Sequence, residues 1–182
     1  MLLGNRVGLY AIEHADLPQL KHWRNTPGIR KYCREFRELS MDQQERWYEE
    51  SVIENPDVLM FAIRKLKNDS LLGCCGFNHV NWVHRRAEMS LYIGVDSVYI
   101  DDNGYAGESM ALLLDYGFNE LGLQRIWTDT YSFDLKKREL SNKMGFSEDG
   151  ILRNNYWFDG QWWDSIVISI LADDYHRLKK TD

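Results

Sequence analysis

One segment narrows the choice of fold more than any other. Asp101-Asp102-Asn103-Gly104-Tyr105-Ala106-Gly107 runs directly into residues 108–121, where Met110, Leu113, Leu114, Gly117, Phe118 and Leu121 recur at helical spacing. A glycine turn feeding a helix N-terminus aims unpaired N–H groups and the positive end of the helix dipole at an anion. Positions without a bulky side chain also let a phosphate come close. Gly104, Ala106 and Gly107 are placed to do this, and Gly122 stands where a helix C-cap belongs.

The elements on either side give this loop a setting. Residues 7–12 read as a strand, followed by a helix capped by Asp16, with Pro18 in its first turn, that runs through Trp23. Ser40 opens a second helix with Gln43 closing a capping box, and that helix should end near Asn55-Pro56. Residues 58–65, 70–81 and 86–95 then read as an antiparallel meander, broken at Asn68-Asp69 and at Val83-His84-Arg85. After the loop and its helix, residues 124–131 read as a strand and 135–144 as a helix stopped at Gly145. Phe146 starts the return, and a long hairpin turns at Asp159-Gly160 and runs out over residues 162–171. The order is β-α-α-β-β-β-α-β-α-β-β, an α/β (α+β) pattern. With no repeat or linker tract, residues 1–182 form one domain.

Composition removes several function classes. Among the 182 residues the formal net charge is −6, so a broad basic footprint for nucleic acid is missing. The amino-terminal residues hold no long apolar run and no stretch is long enough to span a bilayer, so neither a membrane nor export is expected and a cytoplasmic location follows. Cys33, Cys74 and Cys75 are an odd set with two adjacent members, which suits reduced, buried thiols; no metal site is expected.

The string from Gly104 to Phe146 resembles the GNAT superfamily of N-acetyltransferases. Its pieces are Gly104-Tyr105-Ala106, then Glu120-Leu121-Gly122-Leu123, then Asn142-Lys143-Met144-Gly145-Phe146. Trp23-Arg24-Asn25, the segment from Leu39-Ser40 to Trp47-Tyr48, Gly150-Ile151-Leu152-Arg153 and Gly160-Gln161-Trp162-Trp163-Asp164 are similar to its branch of ribosomal-protein N-terminal acetyltransferases and nucleotide-sugar amine acetyltransferases. The resemblance implies a central mixed, mostly antiparallel, highly twisted sheet of six to seven strands flanked by about four helices. It implies acetyl-CoA as cofactor, held by Ile93, Gly94, Val95, Asn103, Gly104, Tyr105, Ala106, Gly107, Asp134 and Lys137, the last beside Lys136. The chain departs from the pattern at Asp101, where the family carries Arg or Gln, and at Asp134, where it carries Asn. Two carboxylates at Asp101 and Asp102 would repel a pyrophosphate unless they turn away from it.

Acyl transfer to an amine needs a neutral nitrogen, a polarised thioester carbonyl and a proton for the leaving thiolate. Backbone N–H groups around residues 93–95 are expected to serve the carbonyl. Glu88 stands where related enzymes hold a carboxylate near the amine. His79 is the other base candidate, since a histidine changes charge near neutral pH, and a water relay is a third route. Ser141 aligns with the family's hydroxyl acid beside the CoA sulfur. Seven tryptophans suggest a stacking wall for the acceptor, with Trp23, Arg24, Trp47 and Trp82 as substrate-binding candidates. The expected partner is a small-molecule amine, with an amino sugar or nucleotide-linked amino sugar favoured. A protein N-terminus and a non-catalytic acyl-CoA-binding module are the alternatives. A homodimer through the closing strands is plausible.

Overall fold

The computed structural model describes residues 1–180. Strands β1 (Leu2–Leu3), β2 (Val7–Ala11), β3 (Leu59–Lys65), β4 (Leu71–Asn81), β5 (Arg86–Ile93), β6 (Arg125–Tyr131), β7 (Ser147–Phe158) and β8 (Gln161–Leu171) form one sheet in the order β1-β2-β3-β4-β5-β6-β8-β7. Only β5 and β6 run parallel, and every other neighbour pair is antiparallel. The eighth strand, beyond the six or seven expected, comes from the two-residue β1, too short to leave a period-2 signal.

The helices are α1 (Leu17–Asn25), α2 (Pro27–Arg30), α3 (Met41–Trp47), α4 (Tyr105–Asp115), α5 (Leu135–Lys143) and α6 (Ala172–Leu178). The capping box at the start of α3 forms as its sequence requires: Gln43 N donates to Ser40 Oγ at 3.2 Å and Ser40 N donates to Gln43 Oε1 at 2.8 Å. α3 and α4 each widen at their ends, over Tyr48–Ile53 and Tyr116–Glu120, into turns with one extra residue. The helix expected over residues 108–121 therefore begins three residues earlier, and Tyr105, Ala106 and Gly107 are its first turn rather than loop. Gly122, at φ +64°, ends it.

Both faces of the middle strands are covered, so β4 is buried continuously from Leu72 to Phe77. Cys74 and Cys75 point to opposite faces and are both buried for this reason, and burial pushes the Cys74 thiol up to about 12. Trp23 of α1 lies against the backbone at the end of β5, where a Cβ on Gly94 would sit 2.0 Å from the indole. That close approach locks α1 onto the sheet beside the site.

Candidate active site

β5 and β6 share register only at Arg86, Ala87 and Glu88, opposite Arg125, Ile126 and Trp127. Past Glu88 they part. β5 stays paired to β4 as far as Ile93, while β6 stays paired to β8 as far as Tyr131. The opening is a cleft of about 230 Å³ floored by β5 and β6 and closed by α5 and the segment after α2.

A charged cluster sits where the strands separate. A register shift in β4 between Asn78 and Asn81 leaves His79 at φ +50°, and such a bulge re-aims a side chain. His79 Nδ1 lies 2.7 Å from Glu88 Oε2. Arg34 Nη2 donates to Glu88 Oε1 at 3.1 Å and also to Asp129 Oδ1. The Glu88 side chain is only 10% exposed, whereas that of His79 is 75% exposed. The pair thus links a sheltered carboxylate to solvent through an imidazole, a geometry suited to taking a proton and passing it out. The sequence names Glu88 and His79 as candidates, and beside them the structure places Arg34 and Asp129, which the sequence does not name. Arg34 lies in an irregular stretch with no period, and Asp129 sits in the polar run Thr128-Asp129-Thr130, unusual for an inner strand.

α5 brings three more groups. Asp134 caps the helix by accepting from Lys137 N at 3.1 Å, and burial pushes its carboxyl upward. Lys137 turns into the cleft, its Nζ donating to Thr128 Oγ1 and to the Asp129 carbonyl, each at 3.0 Å. Burial pulls its ammonium below the ordinary lysine range. Lys136 points the other way and pairs with Asp102 at 2.8 Å. Ser141, one turn beyond Lys137, is fully buried, does not line the cleft and leaves its Oγ without a partner. The α5 group that reaches the cleft is Lys137.

The backbone donors also lie elsewhere than expected. Ile93 N already donates to Tyr99 O at 2.9 Å and Gly94 N to Leu72 O at 2.8 Å, because residues 94–100 fold back along the end of β5. Val95 begins a short helical turn. By strand alternation Leu91 N–H faces the same edge as that of Ile93, toward the gap, and Leu91 lines the cleft. At the loop, Asp101 turns inward and its carboxylate accepts from Tyr105 N at 2.9 Å and Ala106 N at 2.7 Å. Asp102 turns outward onto Lys136. Asp102 is thereby paired outside the loop, while Asp101 occupies two of the first-turn amides with its own oxygens. Gly104 holds φ +84°, which an L side chain rarely adopts. Beside it Arg6 donates to the Asn103 carbonyl at 2.8 Å and pairs with Glu108 at 3.2 Å.

The tryptophans do not form the expected wall. Trp23 is core, and Trp82 is half-exposed at the β4–β5 turn with its Nε1 on Asp57, outside the cleft. The stacked aromatics are instead tyrosines and phenylalanines: Tyr32 on Tyr99 at 4.3 Å and Tyr131 on Tyr156 at 4.0 Å, joined through Phe133. Trp47 lines a second cleft of about 340 Å³ between α1, α3 and β5. Arg24, Ser90 and Tyr92 border both clefts. Among the described residues no group of three or more His, Cys, Asp and Glu side chains could hold a metal ion, and no helix is long and apolar enough to cross a membrane.

Residues 6–147 match the family model described as an acetyltransferase (GNAT) domain. The chain is 26% identical over 173 residues to a spermidine N(1)-acetyltransferase of Vibrio cholerae, covering 95% of this chain and 97% of that protein. It is 30% identical over 115 residues to the uncharacterized N-acetyltransferase p20 of Bacillus licheniformis and 32% identical over 113 residues to YoaA of Bacillus subtilis. Those matches span only 63% and 62% of the respective proteins. In three dimensions it superposes on the crystal structure of the Vibrio cholerae spermidine N-acetyltransferase in complex with CoA and spermine with a TM-score of 0.87 at 25% identity, covering 95% of this chain and 99% of the other.

Proposed function

We propose that this chain, which belongs to the GNAT acetyltransferase family, transfers an acetyl group from acetyl-CoA to the primary amine of a small molecule in the cleft between β5 and β6. The observation that carries the reading is the parting of those strands immediately after Glu88, with the Glu88–His79 pair at the fork. Acetyl-CoA supplies the activated acyl group, and the residues around the cleft divide the remaining work. Glu88 accepts the amine proton and His79 hands it to solvent. Leu91 N–H donates to the acyl carbonyl from a rigid strand, so no reorganisation is needed as charge develops. Lys137, with an ammonium made more acidic by burial, stands where a proton can be given to the leaving thiolate, the role assigned on alignment to Ser141. A pyrophosphate at the loop would meet the amides of Asn103, Gly104 and Gly107, since those of Tyr105 and Ala106 are held by Asp101.

The relatives do not favour the amino-sugar and ribosomal-protein branches. Those with a stated acceptor act on spermidine, so polyamines enter any acceptor panel as the reference. Titration calorimetry with acetyl-CoA, followed by thiol release against polyamines, amino sugars, amino acids and N-terminal peptides, tests the reading. Acetyl-CoA is expected to bind and one small-amine class to release thiol. Absence of acetyl-CoA binding would falsify it.

A further inference from the structure

One cation at the site has no counterpart. Arg24, near the end of α1, borders both clefts, and its Nε is shielded from solvent without a hydrogen-bond partner. Its guanidinium makes no ion pair among the described residues and lies beside Cys33, Cys74 and Tyr92. The nearby carboxylate, Glu35, is held by Arg37 through two bonds of 2.8 and 2.7 Å. The other cations around the two clefts are engaged or open to water. Arg34 pairs with Glu88 and Asp129, Lys137 donates to Thr128 and the Asp129 carbonyl, and Arg46 is exposed on α3. A shielded guanidinium N–H without a partner is costly, and the forked donor geometry of this half-buried side chain, which lines both clefts, matches a carboxylate or phosphate.

We infer that Arg24 binds an anionic group, a carboxylate or a phosphate, carried by the acceptor itself. The acceptor is then an amine that also bears an acid. Its amine lies in the first cleft toward Glu88 and its anionic end lies at the junction with the second, where Arg24, Ser90 and Tyr92 meet. This separates the chain from relatives that act on spermidine. A polyamine would bring only positive charge to Arg24, and two like charges in a partly dry site repel. The inference rests on the acyl-transfer reading above and narrows its substrate class.

The test compares matched amines that differ by the acid alone: L-ornithine against putrescine for a carboxylate, and D-glucosamine 6-phosphate against D-glucosamine for a phosphate, with spermidine as reference. Each is titrated into the protein saturated with CoA and assayed for thiol release with acetyl-CoA. In at least one pair the anionic member is expected to bind, and to turn over in kcat/KM, about tenfold to a hundredfold better, the span of a charge-assisted hydrogen bond. Arg24→Gln is expected to abolish that preference by raising KM for the anionic member, leaving acetyl-CoA affinity unchanged, while Arg24→Lys keeps part of it. Equal binding within both pairs, or spermidine preferred over every anionic amine, overturns the inference while leaving acyl transfer intact. Loss of acetyl-CoA binding in the unaltered protein would instead remove the acyl-transfer reading itself.

Discussion

Single side chains at this site were legible in proportion to how strongly their local pattern spoke. Glu88 is marked by its place in the family resemblance and His79 by a side chain that changes charge near neutral pH, each on a strand the sequence delimits. Their partner Arg34 is not marked, because the chain from Lys31 to Leu39 has no regular structure to align it. Ser141 was chosen by alignment, yet it is Lys137, one turn earlier, that faces the cleft. Glu88→Gln removes the proton acceptor but keeps its shape. It is expected to lower kcat/KM about a hundredfold, within the span of general-base contributions, with acetyl-CoA affinity unchanged in titration. A second residue-scale effect lies at Glu35, which the paired hydrogen bonds from Arg37 hold at about 2, below the ordinary 4.5. Because the folded value is depressed, its contribution is complete above pH 4.5 and fades as the pH falls toward 2. Thermal melts of Glu35→Gln against the parent should therefore show a gap at neutral pH that narrows on acidification. A gap independent of pH would contradict the assignment.

At the scale of elements, the order of strands and helices followed from periodicity and capping, and the boundaries moved where tertiary contacts intervened. β5 stops at Ile93 rather than Val95 because Tyr99 returns to take the Ile93 amide, a contact that no local pattern announces. α4 starts at Tyr105 because Asp101, which looked like a misplaced charge beside a phosphate loop, is the side chain that caps it. Its two roles can be separated. Asp101→Ala removes the cap and should cost about 1–2 kcal/mol in denaturant unfolding. Asp101→Asn removes a negative charge near the expected pyrophosphate but keeps only one of the two accepting oxygens, since Tyr105 N and Ala106 N bond different ones. It should bind acetyl-CoA several-fold more tightly while still losing one of the two amide bonds. If Asp101→Asn weakens acetyl-CoA binding instead, the loop does not meet the phosphates as proposed.

For the molecule as a whole, the sheet is two blocks held at one short seam. β1 to β5 form one, β6, β8 and β7 the other, and three register pairs at Arg86, Ala87 and Glu88 join them. The local sign of that seam is the polar run Thr128-Asp129-Thr130 in β6, just past the last register pair, while the separation itself depends on which neighbour each strand follows past Glu88. The gap leaves strand edges on both sides without a sheet partner, at the depth where the Leu91 amide and the Thr128 and Asp129 groups gather. A ligand lying in the gap would complete both edges and tie the blocks together, so binding should stabilise the two as a unit. Acetyl-CoA at a hundred times its dissociation constant should add about 2.7 kcal/mol to the unfolding free energy. Amide hydrogen exchange should slow in Ser90–Ile93 of β5 and Thr128–Tyr131 of β6, and change little in β2 and β7 at the periphery. Protection confined to the loop at residues 101–107, with the seam strands unaffected, would place the ligand outside the gap and dissolve the link between the divided sheet and acyl transfer.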